Sequence, residues 1–162
     1  MTAPTGGLSR PAVGTGCALR FTFVVLYVAD LPATLAFYQD AFDLPARFVH
    51  PNRQYAELDT GTVTLAFTQD ELSTTALADL PGGYHPNRPD RLPPGLDLAF
   101  ATDDVDAAWA RAIAAGARVV SPVVVKPWGQ RVGYLRDLNG VLVEIGTPLG
   151  DQDGPPAQVG AR

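Results

Sequence analysis

The chain has 162 residues, the size of one ordinary domain, long enough to bury a core without disulfide or metal staples. Hydrophobic residues at 46% and charged residues at 18% exclude a disordered chain. A formal net charge of −5, with no run of Lys or Arg, offers nucleic acid no docking surface, so none is expected as a partner.

Residues 1–19 are rich in Gly, Pro, Ala and Thr without periodicity and read as a loose N-terminal tail. Cys17, in that tail, is the only cysteine, so no intrachain disulfide and no cysteine zinc cluster can form. The first element is the apolar run within "FTFVVLYVAD" (21–30), read as a buried strand. Its core, Phe23–Ala29, is too short to cross a bilayer. It is also not followed by the small residues of a signal-peptide cleavage site. The expected setting is cytoplasmic, with no membrane partner.

A helix follows, with Leu31, Leu35, Tyr38 and Phe42 at spacings of three and four and Asp30 as its N-cap. Three strands are expected next, in "RFVH", "QYAELD" and "TVTLAFTQ", with Asp59-Thr60-Gly61 turning between the last two. Residues 70–94 form a connector dense in Pro and Gly, with one short helix around Glu71–Leu80 and His85 in a loop. The same order then returns. "GLDLAFATDD" (95–104) is a strand, and Val105, Ala108, Trp109, Ala112 and Ile113 mark a helix capped by Asp104 and stopped at Gly116. Strands in "ARVVSPVVV", "QRVGYLRD" and "GVLVEIGT" complete it, with a turn at Asp137-Leu138-Asn139-Gly140, and residues 148–162 are a C-terminal tail.

Shifting the chain by 74 residues lays Asp30 on Asp104, and a shift of 78 lays Asp59 on Asp137 and Phe67 on Ile145. A β-α-β-β-β unit therefore occurs twice, over 20–69 and 95–147, within one domain spanning 20–147. Strand alternation divides each unit into two faces. Val24, Leu26, Val28, Val63, Leu65 and Phe67 should pack under the first helix, and Leu98, Phe100, Val141, Val143 and Ile145 under the second. The opposite faces then hold Phe23, Val25, Tyr27, Thr64, Ala66, Asp97, Ala99 and Glu144. That mixture, mostly apolar with a few polar groups, suits a concave surface that cups a small molecule. Trp109, at core spacing, reads as packing.

The paired units, together with "VVLYVADLPATLAFYQDAFDL", "DLAFATDDVDAAWARAIAAGA" and "PWGQRVGYLRDLNGVLVEI", resemble the vicinal oxygen chelate superfamily. It includes glyoxalase I, extradiol dioxygenases and bleomycin-resistance-type binding proteins. The resemblance implies an α+β fold in which two βαβββ modules form a curved mixed sheet with a concave ligand cavity. It also implies a homodimer. In metal-dependent members one residue from each of four strands binds a divalent ion. The matching positions here are Phe23, Ala66, Asp97 and Glu144, and the first two cannot ligate. A divalent metal is therefore disfavoured and no cofactor is expected, although loop residues such as His50 or His85 could be recruited. "PWGQR" is similar to a segment of bleomycin-resistance-type proteins. Trp128 would offer a stacking surface, with Gln130 and Arg131 as hydrogen-bond donors. The same segment also reads as a fold-stabilising turn, and both readings stand.

Two functions from different classes follow. One is a metal-independent binding protein for an antibiotic or another partly apolar, cationic ligand, contacted by Phe23, Tyr27, Asp97, Trp128, Gln130, Arg131 and Glu144. The other is a metal-dependent lyase, isomerase or dioxygenase with Glu144 or Asp97 as the catalytic carboxylate. Burial of Asp97 and Glu144 side by side would push one of them toward protonation.

Overall fold

The computed structural model describes residues 19–149; residues 1–18, with Cys17, and 150–162 lie outside the described residues. The first module runs β1 (Phe23–Val28), α1 (Leu31–Phe42), β2 (Ala46–Val49), β3 (Tyr55–Leu58) and β4 (Thr64–Gln69). A short α2 (Asp70–Ala76) opens the connector. The second module runs β5 (Asp97–Ala101), α3 (Val105–Ala114), β6 (Arg118–Val125), β7 (Arg131–Arg136) and β8 (Leu142–Gly146).

Each module forms its own four-stranded mixed sheet, ordered β1-β4-β3-β2 and β5-β8-β7-β6, with the first and last strands of the module paired in parallel. The expected α+β class and the two modules are present. The curved surface consists of two separate sheets, since β1 and β5 do not share a ladder.

Local chemistry explains the boundaries. The Asp30 carboxylate accepts from Ala33 N at 2.9 Å and the Asp104 carboxylate from Ala107 N at 3.0 Å, so both helices start at their expected caps. Gly116, at φ +103°, ends the turn after α3 in a conformation that disfavours other residues. The connector helix is shorter than the expected Glu71–Leu80. Past Ala76 the chain tightens, with Leu80 N donating to Leu77 O, and Pro81 disfavours helix at the residue before it.

One core joins the modules. Leu26, Val28, Leu65 and Phe67 from the first sheet and Leu135, Val143 and Ile145 from the second are buried in a single cluster with residues of both helices. Phe42 stacks on Phe100, centroids 5.0 Å apart, and Arg111 Nε donates to Ala41 O at 3.1 Å. A polar bolt crosses the same boundary. The Tyr38 hydroxyl donates to Asp137 Oδ2 at 3.0 Å, and Asn139 Nδ2 donates to Thr34 Oγ1 at 3.1 Å. Asp137 Oδ1 also accepts from the Asn139 and Val141 amides, so the second module's turn is buried, not a surface hairpin.

Candidate functional site

The helix-free faces of the two sheets are where the fold leaves side chains open. On the first, the ladder sets Phe23 beside Thr64, Val25 beside Ala66 and Tyr27 beside Thr68, with Glu57 next to Ala66 and Tyr55 next to Thr68. Phe23 and Val25 keep 41% and 40% of their surface exposed, whereas Ala66 is fully buried between its neighbours. On the second face, Asp97 pairs with Leu142, Ala99 with Glu144, and Tyr134 with Glu144 from the other side.

Each face carries one tyrosine held against a carboxylate. On the first, Tyr55 donates to Glu57 Oε1 at 2.9 Å, and Arg47 closes on Glu57 Oε2 through Nε at 3.0 Å and Nη2 at 2.8 Å. Arg47 Nη2 also reaches Thr64 Oγ1 at 2.8 Å. Burial and the hydrogen bond to Glu57 push the Tyr55 hydroxyl up to about 12, while the Arg47 hydrogen bonds hold Glu57 below the usual carboxylate range. On the second face, the Glu144 carboxylate against its hydroxyl, helped by burial, pushes Tyr134 up to about 12. The Lys126 ammonium lies 5.3 Å from the Tyr134 ring centroid. Both tyrosines are thus neutral donors at ordinary pH.

The expected residues are divided between the two sheets. Phe23, Ala66 and Tyr27 belong to the first sheet, Asp97 and Glu144 to the second. Asp97 is exposed and Glu144 half-buried, so the two carboxylates are not the buried pair that mutual protonation requires. In the "PWGQR" segment, Trp128 Nε1 donates to Gln130 Oε1 at 3.0 Å and Gln130 Nε2 to Thr147 O at 2.8 Å. Arg131 clasps Asp106 through both terminal nitrogens at 3.1 and 2.7 Å. With Gly129 at φ +89° and donating to Lys126 O at 2.9 Å, the segment is built as a braced turn. Its Trp128 ring is half-buried.

Arg47, Tyr55, Glu57 and Tyr134 belong to the site but were not singled out from the sequence. The alternation Tyr55-Ala56-Glu57-Leu58 would have shown Tyr55 and Glu57 on the open face, because Ala56 and Leu58 are the buried pair. Arg47 had no such signal, since the irregular register between Ala46 and Phe48 breaks the alternation there.

The four strand positions do not fit a divalent ion. Phe23 and Ala66 have no donor atom, the carboxylate in register with Ala66 is held by Arg47, and Asp97 and Glu144 alone fall short of three protein ligands. Hollows among the described residues also lie elsewhere. One of about 230 Å³ sits at the module seam between Val24, Leu65, Leu98 and Phe100. Two of about 460 and 550 Å³ lie along the connector, around Leu77, Tyr84 and Arg88, and around His85, Arg91 and Pro93.

A model of the Glyoxalase/Bleomycin resistance protein/Dioxygenase superfamily matches residues 20–145. The chain belongs to this superfamily. It is 26% identical over 128 residues to the YraH protein of Bacillus subtilis (strain 168), covering 78% of this chain and 97% of that one. Its fold is similar to that of a glyoxalase-related enzyme from Fulvimarina pelagi, with a TM-score of 0.67 at 23% identity over 85% of this chain and 96% of that one. TioX from Micromonospora sp. ML1 matches at a TM-score of 0.60 and 25% identity, over 80% of this chain and 99% of that one. As a superfamily member the protein has the expected two-module fold, and no helix among the described residues is long and apolar enough to cross a membrane.

Proposed function

We propose that this superfamily member is a metal-independent binding protein that sequesters a partly apolar ligand with a cationic or hydrogen-bond-donating group, such as a basic antibiotic. The open face of β1 carries the reading. Where a metal centre needs donor atoms, it presents Phe23 and Val25, each about two-fifths exposed, over a buried Ala66. An apolar face of this kind binds by burial of surface and has nothing to hold an ion. Glu144 and Asp97 supply negative charge on the second face, and Tyr27 and Trp128 supply aromatic surface. A homodimer that covers the open faces and a cytoplasmic setting belong to the same proposal.

The test is metal analysis of native protein, followed by thermal-shift measurements with partly apolar cations, with and without chelator. The reading expects a substoichiometric metal content and a shift of Tm that chelator does not change. About one divalent ion per subunit, with binding abolished by chelator, overturns it.

One observation favours the enzyme reading. Glu144 is half-buried, makes no salt bridge among the described residues and faces a tyrosine that remains protonated. That is an arrangement in which a carboxylate can take a proton while its neighbour donates a hydrogen bond. Under this reading Glu144→Gln abolishes turnover of a vicinal-dioxygen substrate. Full activity of that variant excludes Glu144 as the base.

A further inference from the structure

The second open face is not uniformly acidic. Pairing in register puts Asp97 of β5, Leu142 of β8, Arg136 of β7 and Arg118 of β6 in one row, all on the side away from α3. Carboxylates therefore occupy the β5–β8 half of the face and guanidinium groups the β7–β6 half.

The two arginines share one acceptor. Arg118 Nη2 donates to Pro89 O at 2.7 Å and Arg136 Nη1 to the same oxygen at 3.3 Å. Arg136 is almost fully buried, and its other hydrogen bonds also end on carbonyls, Gly140 O at 2.8 Å and Arg88 O at 3.1 Å. Neither arginine forms a salt bridge among the described residues, which is unusual for a buried cation. Two positive charges drawn to one neutral oxygen repel each other, and that repulsion falls when an anion joins them. Arg118 is exposed, and planar guanidinium donors match the oxygens of a carboxylate or phosphate.

We infer that the Arg118–Arg136 end of the second face is the seat of an anionic group, a carboxylate or phosphate, carried by the ligand. Arg118 makes the contact, and Arg136, locked by the connector carbonyls, adds its field from beneath. The inference rests on the small-molecule-binding reading and sharpens it. A ligand reaching from Glu144 on β8 to Arg118 on β6 crosses two strand spacings and two residues along the strand, roughly 12 Å, and carries opposite charges at its ends.

Binding of three probes to the full chain, benzoate, benzyl phosphate and benzylamine, is measured by calorimetry at constant ionic strength. At least one anionic probe should bind wild type and weaken about tenfold or more in Arg118→Gln, with partial recovery in Arg118→Lys. Benzylamine binding should be unchanged in Arg118→Gln and reduced in Glu144→Gln. Because Arg118 is exposed, Arg118→Gln should keep the wild-type Tm without ligand. If benzylamine binds but neither anion does, or if the anions bind Arg118→Gln as well as wild type, the anion seat is overturned while the binding reading stands. If none of the three binds, both fall.

Discussion

Asp137, 3% exposed, stands in a turn, and its carboxylate accepts three hydrogen bonds, from Tyr38, Asn139 and Val141. Burial still outweighs those bonds and raises its pKa above the ordinary aspartate value of 3.8. A raised carboxylate means that folding penalises the charged form. The penalty is absent below the unfolded value, grows as pH rises through the folded value, and is constant above it. Asp137→Asn keeps an oxygen for the two amides and can reverse the bond to Tyr38, whose hydroxyl also accepts. The stability difference between Asp137→Asn and wild type should therefore move in favour of the variant as pH rises from about 3.8, then level off. Urea unfolding of both proteins across that range measures it, and a difference independent of pH would refute the account. The sequence showed Asp137 as a turn former and Tyr38 as a core residue. It could not show their bond, which spans 99 positions. Glu144 was legible as an open-face carboxylate because the strict alternation of β8 survives in the fold.

Elements with one-sided periodicity follow from the sequence, whereas the length of the connector helix is set by its surroundings. The periodic stripes of α1 and α3 and their aspartate caps needed only local information. The connector helix needed more, since its length depends on where Pro81 and the turn at Leu77–Leu80 stop it. The packing of α3 on β7 shows what pattern alone omits. Trp109 was placed in the core by its spacing, but its seat depends on Gly133, where a Cβ would lie 2.5 and 2.8 Å from two Trp109 ring carbons and 2.9 Å from Val123 Cγ2. Backbone conformation does not require glycine there, so the constraint is space. Gly133→Ala should destabilise by about 1–3 kcal/mol through overpacking. Combined with Trp109→Leu it should cost less than the sum of the two single changes, because the smaller side chain vacates the contact. Chemical denaturation of the three variants tests this, and simple additivity would mean that the strain lies elsewhere.

At the scale of the molecule, duplication explains the fold and divergence between the copies explains the site. The repeat shift of 74 sets Ala108 and Ala112 of α3 opposite Thr34 and Tyr38 of α1, so the polar bolt that ties α1 to Asp137 has no counterpart on Asp59, which is exposed. The open faces diverged as well, one apolar with an Arg47–Glu57 clasp, the other divided between carboxylates and guanidiniums. Apolar side chains remain uncovered on the strands of both sheets, including Phe23, Val25 and Phe48 at 40–44% exposure and Val124 at 44%. Uncovered apolar surface of this kind can serve a ligand or a second copy of the chain. If a second copy covers them, the protein sediments at about twice 17.1 kDa and its Tm rises with concentration. Val25→Lys separates this from a face left open. On a free surface the change should alter stability by no more than about 0.5 kcal/mol. In a dimer it places an ammonium in an apolar contact and should weaken association by about tenfold or more, or roughly 1.4 kcal/mol, with loss of the concentration dependence of Tm. Analytical ultracentrifugation of wild type and Val25→Lys over a range of concentrations decides between them, and a wild-type protein that stays monomeric throughout would leave the open faces to the ligand alone.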